Sequence, residues 1–193
     1  MNKYERKYQK ILEILPDVAE CLNQKLILVG GTALALFYLQ HRTSVDLDFV
    51  PVDGDDAALK RELKGCLSHH NYNTKATRFT NQFVIQFEDT SIKIEIFSPE
   101  RKIGKTIEYD ISGFKIKVAS LEDLLKMKLD AYRERKEARD LFDIFCIMRQ
   151  NRDTSKVIEK LVAENGKPIH LKELEGMIID TERFEEFQKE VLT

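Results

Sequence analysis

Alternation of apolar and polar side chains at period two is confined to residues 1–118, and the chain beyond follows the helical period. Lys25–Val29 is a short apolar run that ends at Gly30-Gly31. Val45–Val50 alternates apolar and acidic residues. Phe83–Phe87 and Ile92–Phe97 alternate around Glu88–Ser91, the pattern of a hairpin, and residues 105–118 form one or two further strands around Ser112-Gly113. Helical segments are predicted over 3–14 and 17–24, on either side of Pro16. Another runs from a Thr32 cap through Leu39, and another over 55–69. The remainder reads as helices over 121–134, 138–150, 154–164, 170–177 and 181–191. This order predicts an α+β protein: a mixed β-sheet with flanking helices in 1–118, then a C-terminal helical part, 119–193.

The 193 residues are 42% apolar and 33% charged, enough apolar matter for a core and too much for a disordered tail. A net charge of −2 excludes a polybasic protein, and basic residues outnumber acidic ones only within 101–150. No segment approaches the roughly 20 apolar residues of a membrane helix, and the charged first twenty residues do not resemble a secretory signal. Three cysteines (Cys21, Cys66, Cys146) without a CxxC pair argue against a disulfide framework and a thiolate zinc site, and favour a reducing cytoplasm. His69-His70 shows no Cys or acid partner at ligand spacing, so metal binding is not expected there. Cys146 lies in an apolar helix and is expected to be inert. Phe83, Phe87, Phe97 and Phe114 are expected in the core rather than stacked on bases.

Chemistry concentrates in three places. Asp46 and Asp48 are two apart on a strand, so their carboxylates share a face. Their mutual repulsion calls for a cation, and a hard divalent ion such as Mg2+ prefers oxygen ligands. Gly30-Gly31-Thr32 opens a helix after a strand, where backbone N–H groups can meet a phosphate. Glu95, alternating with the isoleucines of its strand, can add a third carboxylate. In the helical part Lys128 falls on the apolar stripe of Leu121, Leu124, Leu125 and Tyr132. It either snorkels or points into a site. Asp140 and Asp143 share a helix face among apolar residues and need a partner, with Arg139, Arg133 or Lys128 able to supply it. Arg42 can touch a phosphate or pair with an acid.

Two blocks of this chain resemble the AbiEii/AbiGii toxin family of nucleotidyltransferases, within the DNA polymerase β-like superfamily. The first is Gly30-Gly-Thr-Ala-Leu-Ala-Leu with His41-Arg-Thr-Ser-Val-Asp-Leu-Asp-Phe49. The second is Ser120-Leu-Glu-Asp-Leu-Leu-Lys-Met-Lys-Leu-Asp-Ala131 with Arg139-Asp-Leu-Phe-Asp-Ile144. The likeness covers residues 28–150. The tail beyond it is shorter than in long family members, and the third acid is Glu95 where Asp is common. The resemblance implies transfer of a nucleoside monophosphate from an NTP to a hydroxyl. Asp46, Asp48 and Glu95 would hold two Mg2+ ions. Gly30, Gly31, Thr32, Arg42, Lys93, Lys128 and Arg139 would bind nucleotide phosphates, and Asp140 or Asp143 would order the site. It further implies the toxin of a bacterial toxin–antitoxin or phage-defence pair with a cognate antitoxin. The acceptor would be RNA, tRNA included, or a protein. The alternative from another class is a module on the same fold that binds nucleotide or a partner without turnover. A DNA-binding regulator is disfavoured, because no basic recognition helix is present. Nothing in the sequence sets an oligomeric state.

Overall fold

Asn2 starts the first helix: its side chain accepts from the N–H groups of Tyr4 and Glu5, and Glu5 accepts in return from the Asn2 N–H. This helix, α1 (Lys3–Leu22), runs through Pro16 without a break, so the two predicted helices are one. Its buried face, with Ile11, Ile14, Leu15, Val18 and Leu22, is continuous across the proline. That burial outweighs the roughly 3 kcal/mol that an interior proline costs. Leu12, whose carbonyl residue 16 would otherwise engage, is 40% exposed, where water can reach it.

The computed structural model describes residues 1–149 and 151–193. After α1 come β1 (Leu26–Val29), α2 (Gly30–Leu34), a π-helical turn (Ala35–Leu39), β2 (Asp46–Pro51) and α3 (Asp56–His69). Next are β3 (Asn73–Ala76), β4 (Gln82–Gln86), β5 (Ser91–Ile96), β6 (Thr106–Ile111) and β7 (Phe114–Ala119). The helices α4 (Leu121–Arg135), α5 (Ala138–Met148), α6 (Thr154–Asn165), α7 (Leu171–Glu175) and α8 (Thr181–Phe187) follow, and a second π turn, Gln188–Leu192, ends the chain. The last residue of the predicted 138–150 helix, Gln150, lies outside the described residues. Strand β3 was not visible in the sequence, because its four residues are all polar or small and mostly exposed.

Two compact units result: Met1–Ala33 with Ser44–Ser120, and Leu34–Thr43 with Leu121–Thr193. The first is a mixed seven-stranded sheet of order β3-β4-β5-β2-β1-β7-β6. Strand β2 runs antiparallel to β1 and parallel to β5, and β1 runs parallel to β7. Helices α1 and α3 pack on one sheet face, against the fully buried Phe49, Ile92, Ile94 and Val118. The second unit closes around Tyr132, Leu141, Phe142, Phe145 and Phe187. The Phe187 ring lies edge-on 5.3 Å from Phe142 and 5.5 Å from Phe145.

The structure corrects two further expectations in the first unit. Helix α2 begins at Gly30, so Thr32 lies inside it rather than capping it. The Thr32 hydroxyl instead donates to the Asp46 carbonyl and shares a hydrogen bond with Ser44 Oγ at 2.8 Å. Cys21 of α1 and Cys66 of α3 form a disulfide across 45 residues. Sequence spacing carried no sign of it, because the contact exists only once the two helices lie side by side. Closing a loop of that length is worth about 2–4 kcal/mol through the unfolded chain. Alkylation of denatured, unreduced protein is expected to label Cys146 alone, and all three cysteines after reduction. Three labels without reductant would refute the bond.

Candidate active site

One register gathers the candidate residues of the sheet on a single face. Strand β2 buries Leu47 and Phe49 and turns Asp46 and Asp48 to the opposite side. Strand β5 does the same with Ile94 and Ile96 against Lys93 and Glu95. Their parallel pairing sets Asp46 opposite Lys93 and Asp48 opposite Glu95, so three carboxylates and one ammonium occupy a single patch. Lys93 Nζ is 3.3 Å from Asp46 and 3.7 Å from Glu95. Burial works to lower the Lys93 pKa, but Asp46, Asp48 and Glu95 together outweigh it and hold the pKa above its ordinary value. Asn81, which no sequence signal marked, donates through Nδ2 to Glu95 Oε1 at 3.0 Å. Asp46 and Glu95 remain about a quarter exposed, so a ligand can reach them.

Gly30 belongs to the same patch. Val29, at the end of β1, pairs with Asp48, so the chain leaves the sheet beside that carboxylate. Gly30 takes φ +74°, and a Cβ there would lie 2.6 Å from Asp48 Oδ2. Glycine is required on both counts. Gly31 follows at the half-buried start of α2. Gly30→Ala is expected to cost about 1–3 kcal/mol in chemical denaturation and to displace Asp48. Unchanged stability together with unchanged activity would contradict this close packing.

The donor set fits a hard divalent cation. It consists of oxygen ligands alone, and three carboxylates against one ammonium leave two negative charges. Lys93 already shows that positive charge is held there. The groups of three ligands whose atoms come within 4.8 Å of one another, among the described residues, lie elsewhere, around His70.

The second unit contains a buried ionic network. Backbone bonds tie the 41–43 segment to 177–179: Thr43 N–H donates to Met177 O at 2.7 Å, and Ile179 N–H to His41 O at 3.1 Å. This brings His41 and Arg42 onto α5. Arg42 grips Asp143 with two bonds of 2.6 Å, and His41 Nε2 lies 2.7 Å from Asp143 Oδ1. Arg135 grips Asp140 in the same forked way, at 2.6 and 2.9 Å. Lys128 Nζ bridges the two acids, 2.7 Å from each. Lys128 therefore does not snorkel: its side chain is 7% exposed and its ammonium lies on the two acids. Arg42 pairs with an acid. Arg133 instead meets the exposed Asp130, and Arg139 Nε is buried without a hydrogen-bond partner. Lys128, one of the partners the sequence offered, holds both acids together with Arg42, Arg135 and His41, which nothing in the spacing assigns to Asp140 and Asp143.

Burial opposes ionisation of Asp143, but Arg42, Lys128 and the His41 bond hold its carboxyl well below the ordinary range. Asp140 is lowered for the same reason, with Lys128 and Arg135 outweighing burial. Burial dominates at His41, lowers its pKa and keeps it neutral, so Nε2–H donates to Asp143. Two carboxylates thus face three fixed cations. Burial pushes the Cys146 thiol up, which keeps it inert.

The family model of the nucleotidyl transferase AbiEii toxin, of type IV toxin–antitoxin systems, matches residues 13–192. The chain belongs to the AbiEii family. Solved structures share the fold of this AbiEii protein at low identity. JHP933 from Helicobacter pylori superposes with TM-score 0.55 at 22% identity, over 84% of this chain and 79% of that one. An antigenic nucleotidyltransferase-like protein from Paracoccidioides brasiliensis gives 0.57 at 17%, over 86% and 95%. The antibiotic-resistance factor ANT(2'')-Ia gives 0.51 at 15%, over 83% and 91%. No curated protein matches the sequence at a significant level. The sheet with its flanking helices is the polymerase β-like nucleotidyltransferase fold, and the AbiEii chain is a nucleotidyltransferase of a toxin family. Among its described residues, no helix is long and apolar enough to cross a membrane.

Proposed function

We propose that this AbiEii protein transfers a nucleoside monophosphate from an NTP to an RNA hydroxyl, with release of pyrophosphate, as the toxin of a pair with a cognate antitoxin. The observation that carries the reading is the patch in which Asp46, Asp48 and Glu95 share one sheet face beside Gly30. Those three carboxylates would hold Mg2+, two ions once the triphosphate adds its own negative charge. Bound there, the metal supplies charge neutralisation at the reacting phosphate. Asp46 and Asp48, fixed on a central strand, orient the nucleotide, and Asn81 restrains Glu95. Backbone N–H groups of the Gly30-Gly31 turn would meet phosphate beside Asp48, whose carboxylate a Cβ at Gly30 would strike. Lys93 offers an ammonium on the same face to a phosphate oxygen. Positioning and electrostatics supply most of the rate, as in phosphoryl transfer generally. Arg42, Lys128, Asp140 and Asp143 order the helices of the second unit.

The test is transfer of label from each α-labelled NTP, with Mg2+, to total bacterial RNA or to protein. Label on RNA, tRNA above all, supports the reading. Label on protein alone would replace the RNA acceptor with a protein hydroxyl. Measurable NTP binding without transfer to either would leave a binding module.

A further inference from the structure

We propose that Cys21, Cys66 and His70, with a carboxylate from Asp17 or Glu20, form a zinc site that becomes available when the Cys21–Cys66 disulfide is reduced. Ligand atoms of Cys21, Cys66 and His70 all lie within 4.8 Å of one another. Those of Asp17, Glu20 and His70 do so as well, and the two groups meet at His70. Spacing along the chain offers His70 no Cys or acid partner, and the fold supplies both. Cys66 lies four residues before His70, one turn back along α3, whose last carbonyls the His70 backbone caps. Asp17, Glu20 and Cys21 lie within about one turn of α1 and come from across the helix pair.

The chemistry of this set differs from that of the active face. Two thiolates and an imidazole select a borderline-soft ion, and a carboxylate completes the tetrahedron that Zn2+ adopts. Mg2+ has no use for sulfur. Tetrahedral Zn–S geometry needs the two sulfurs about 3.8 Å apart, a spacing that side-chain rotation reaches from Cα atoms 5.6 Å apart. His70 has a carboxylate on each ring nitrogen: Asp17 is 3.6 Å from Nδ1 and Glu20 3.4 Å from Nε2. One nitrogen can bind the metal while the acid on the other orients the ring. Tyr72 donates to Asp17 Oδ2 at 2.6 Å and fixes that acid in turn. The His70 side chain is 28% exposed, which opens the cluster to solvent, ions and small thiols.

The bond balance is simple. Two molecules of a low-molecular-weight thiol, RSH, pass two electrons and two protons to the disulfide and leave as RS–SR, giving two cysteine thiols. Zn2+ then replaces the two thiol protons, which go to solvent, and two Zn–S bonds form with no change of oxidation state. α1 and α3 are joined in either redox condition, by S–S or by S–Zn–S. The site lies under the sheet face opposite Asp46, Asp48 and Glu95.

The experiment uses the full chain, fully reduced or fully oxidised, titrated with Co2+ as a spectroscopic probe and then with Zn2+. The reduced protein is expected to take up one equivalent of Co2+ with a thiolate-to-metal charge-transfer band that Zn2+ abolishes. The oxidised protein is expected to show no such band. His70→Ala should weaken binding, and Asp17→Asn with Glu20→Gln should weaken it roughly 10- to 100-fold. Cys146→Ser should leave it unchanged. A folded, reduced protein without the band overturns the proposal, as does a band that survives Cys21→Ser with Cys66→Ser. Should reduction unfold the chain, recovery of native circular dichroism on adding Zn2+ supports the site, and failure to recover overturns it.

Discussion

Asp46→Ala with Asp48→Ala is expected to lower nucleotidyl transfer roughly thousandfold or more, because the pair is asked to hold the catalytic charge on the reacting phosphate. Stability should scarcely change. Both side chains project from the sheet face away from α1 and α3, and the apolar residues between and beside them, Leu47 and Phe49, are untouched. Removing two like charges from one patch also relieves repulsion, while Lys93 keeps Glu95 as a partner at 3.7 Å. The measurements are label transfer at saturating Mg2+ and NTP, with thermal denaturation alongside. A folded double variant that transfers at the wild-type rate would remove the active-face assignment. The single change Glu95→Gln should fall between the two, since Asn81 can still hold the amide in place.

Asp143→Ala carries the largest expected loss of stability, about 3–5 kcal/mol, because it leaves Arg42 buried without its carboxylate and Lys128 with Asp140 alone. For a chain of this length that corresponds to a melting temperature lower by roughly 6–20 °C. The pH dependence follows from the direction of the shifts. Asp140 and Asp143 both have folded pKa values below their ordinary 3.8. Their contribution is therefore complete above about pH 4 and is lost as pH falls through the lowered folded values. Wild type and Asp143→Asn should differ most near neutrality and converge in acid. Parallel acid limbs for the two proteins would show that Asp143 does not couple stability to protonation.

Much of the candidate site is legible in the sequence. Asp46 and Asp48 share a face because strand periodicity is two, and the isoleucines around Glu95 gave its orientation by the same rule. The glycine after a buried apolar strand signalled a turn, although only the structure shows that a Cβ there would strike Asp48. Local rules fail where tertiary burial overrides them. Pro16 is a sound place to begin a helix, yet the packed face of α1 carries the helix through it. Thr32 is a sound cap, but its buried hydroxyl serves the start of β2 instead.

Periodicity and residue chemistry alone mark most of the strands and helices, though not β3, together with the apolar side of each marked strand and the family to which the two motif blocks point. Those properties follow from periods of two and 3.6 residues and from residue chemistry within a few positions. Folding fixes the pairings between distant segments. It set Asp48 opposite Glu95, brought Arg42 to Asp143 across 101 residues, and joined Cys21 to Cys66 with His70 beside them. Such contacts depend on strand order and on which helix faces meet. Burial over the whole unit fixes both, and no short stretch of sequence encodes either.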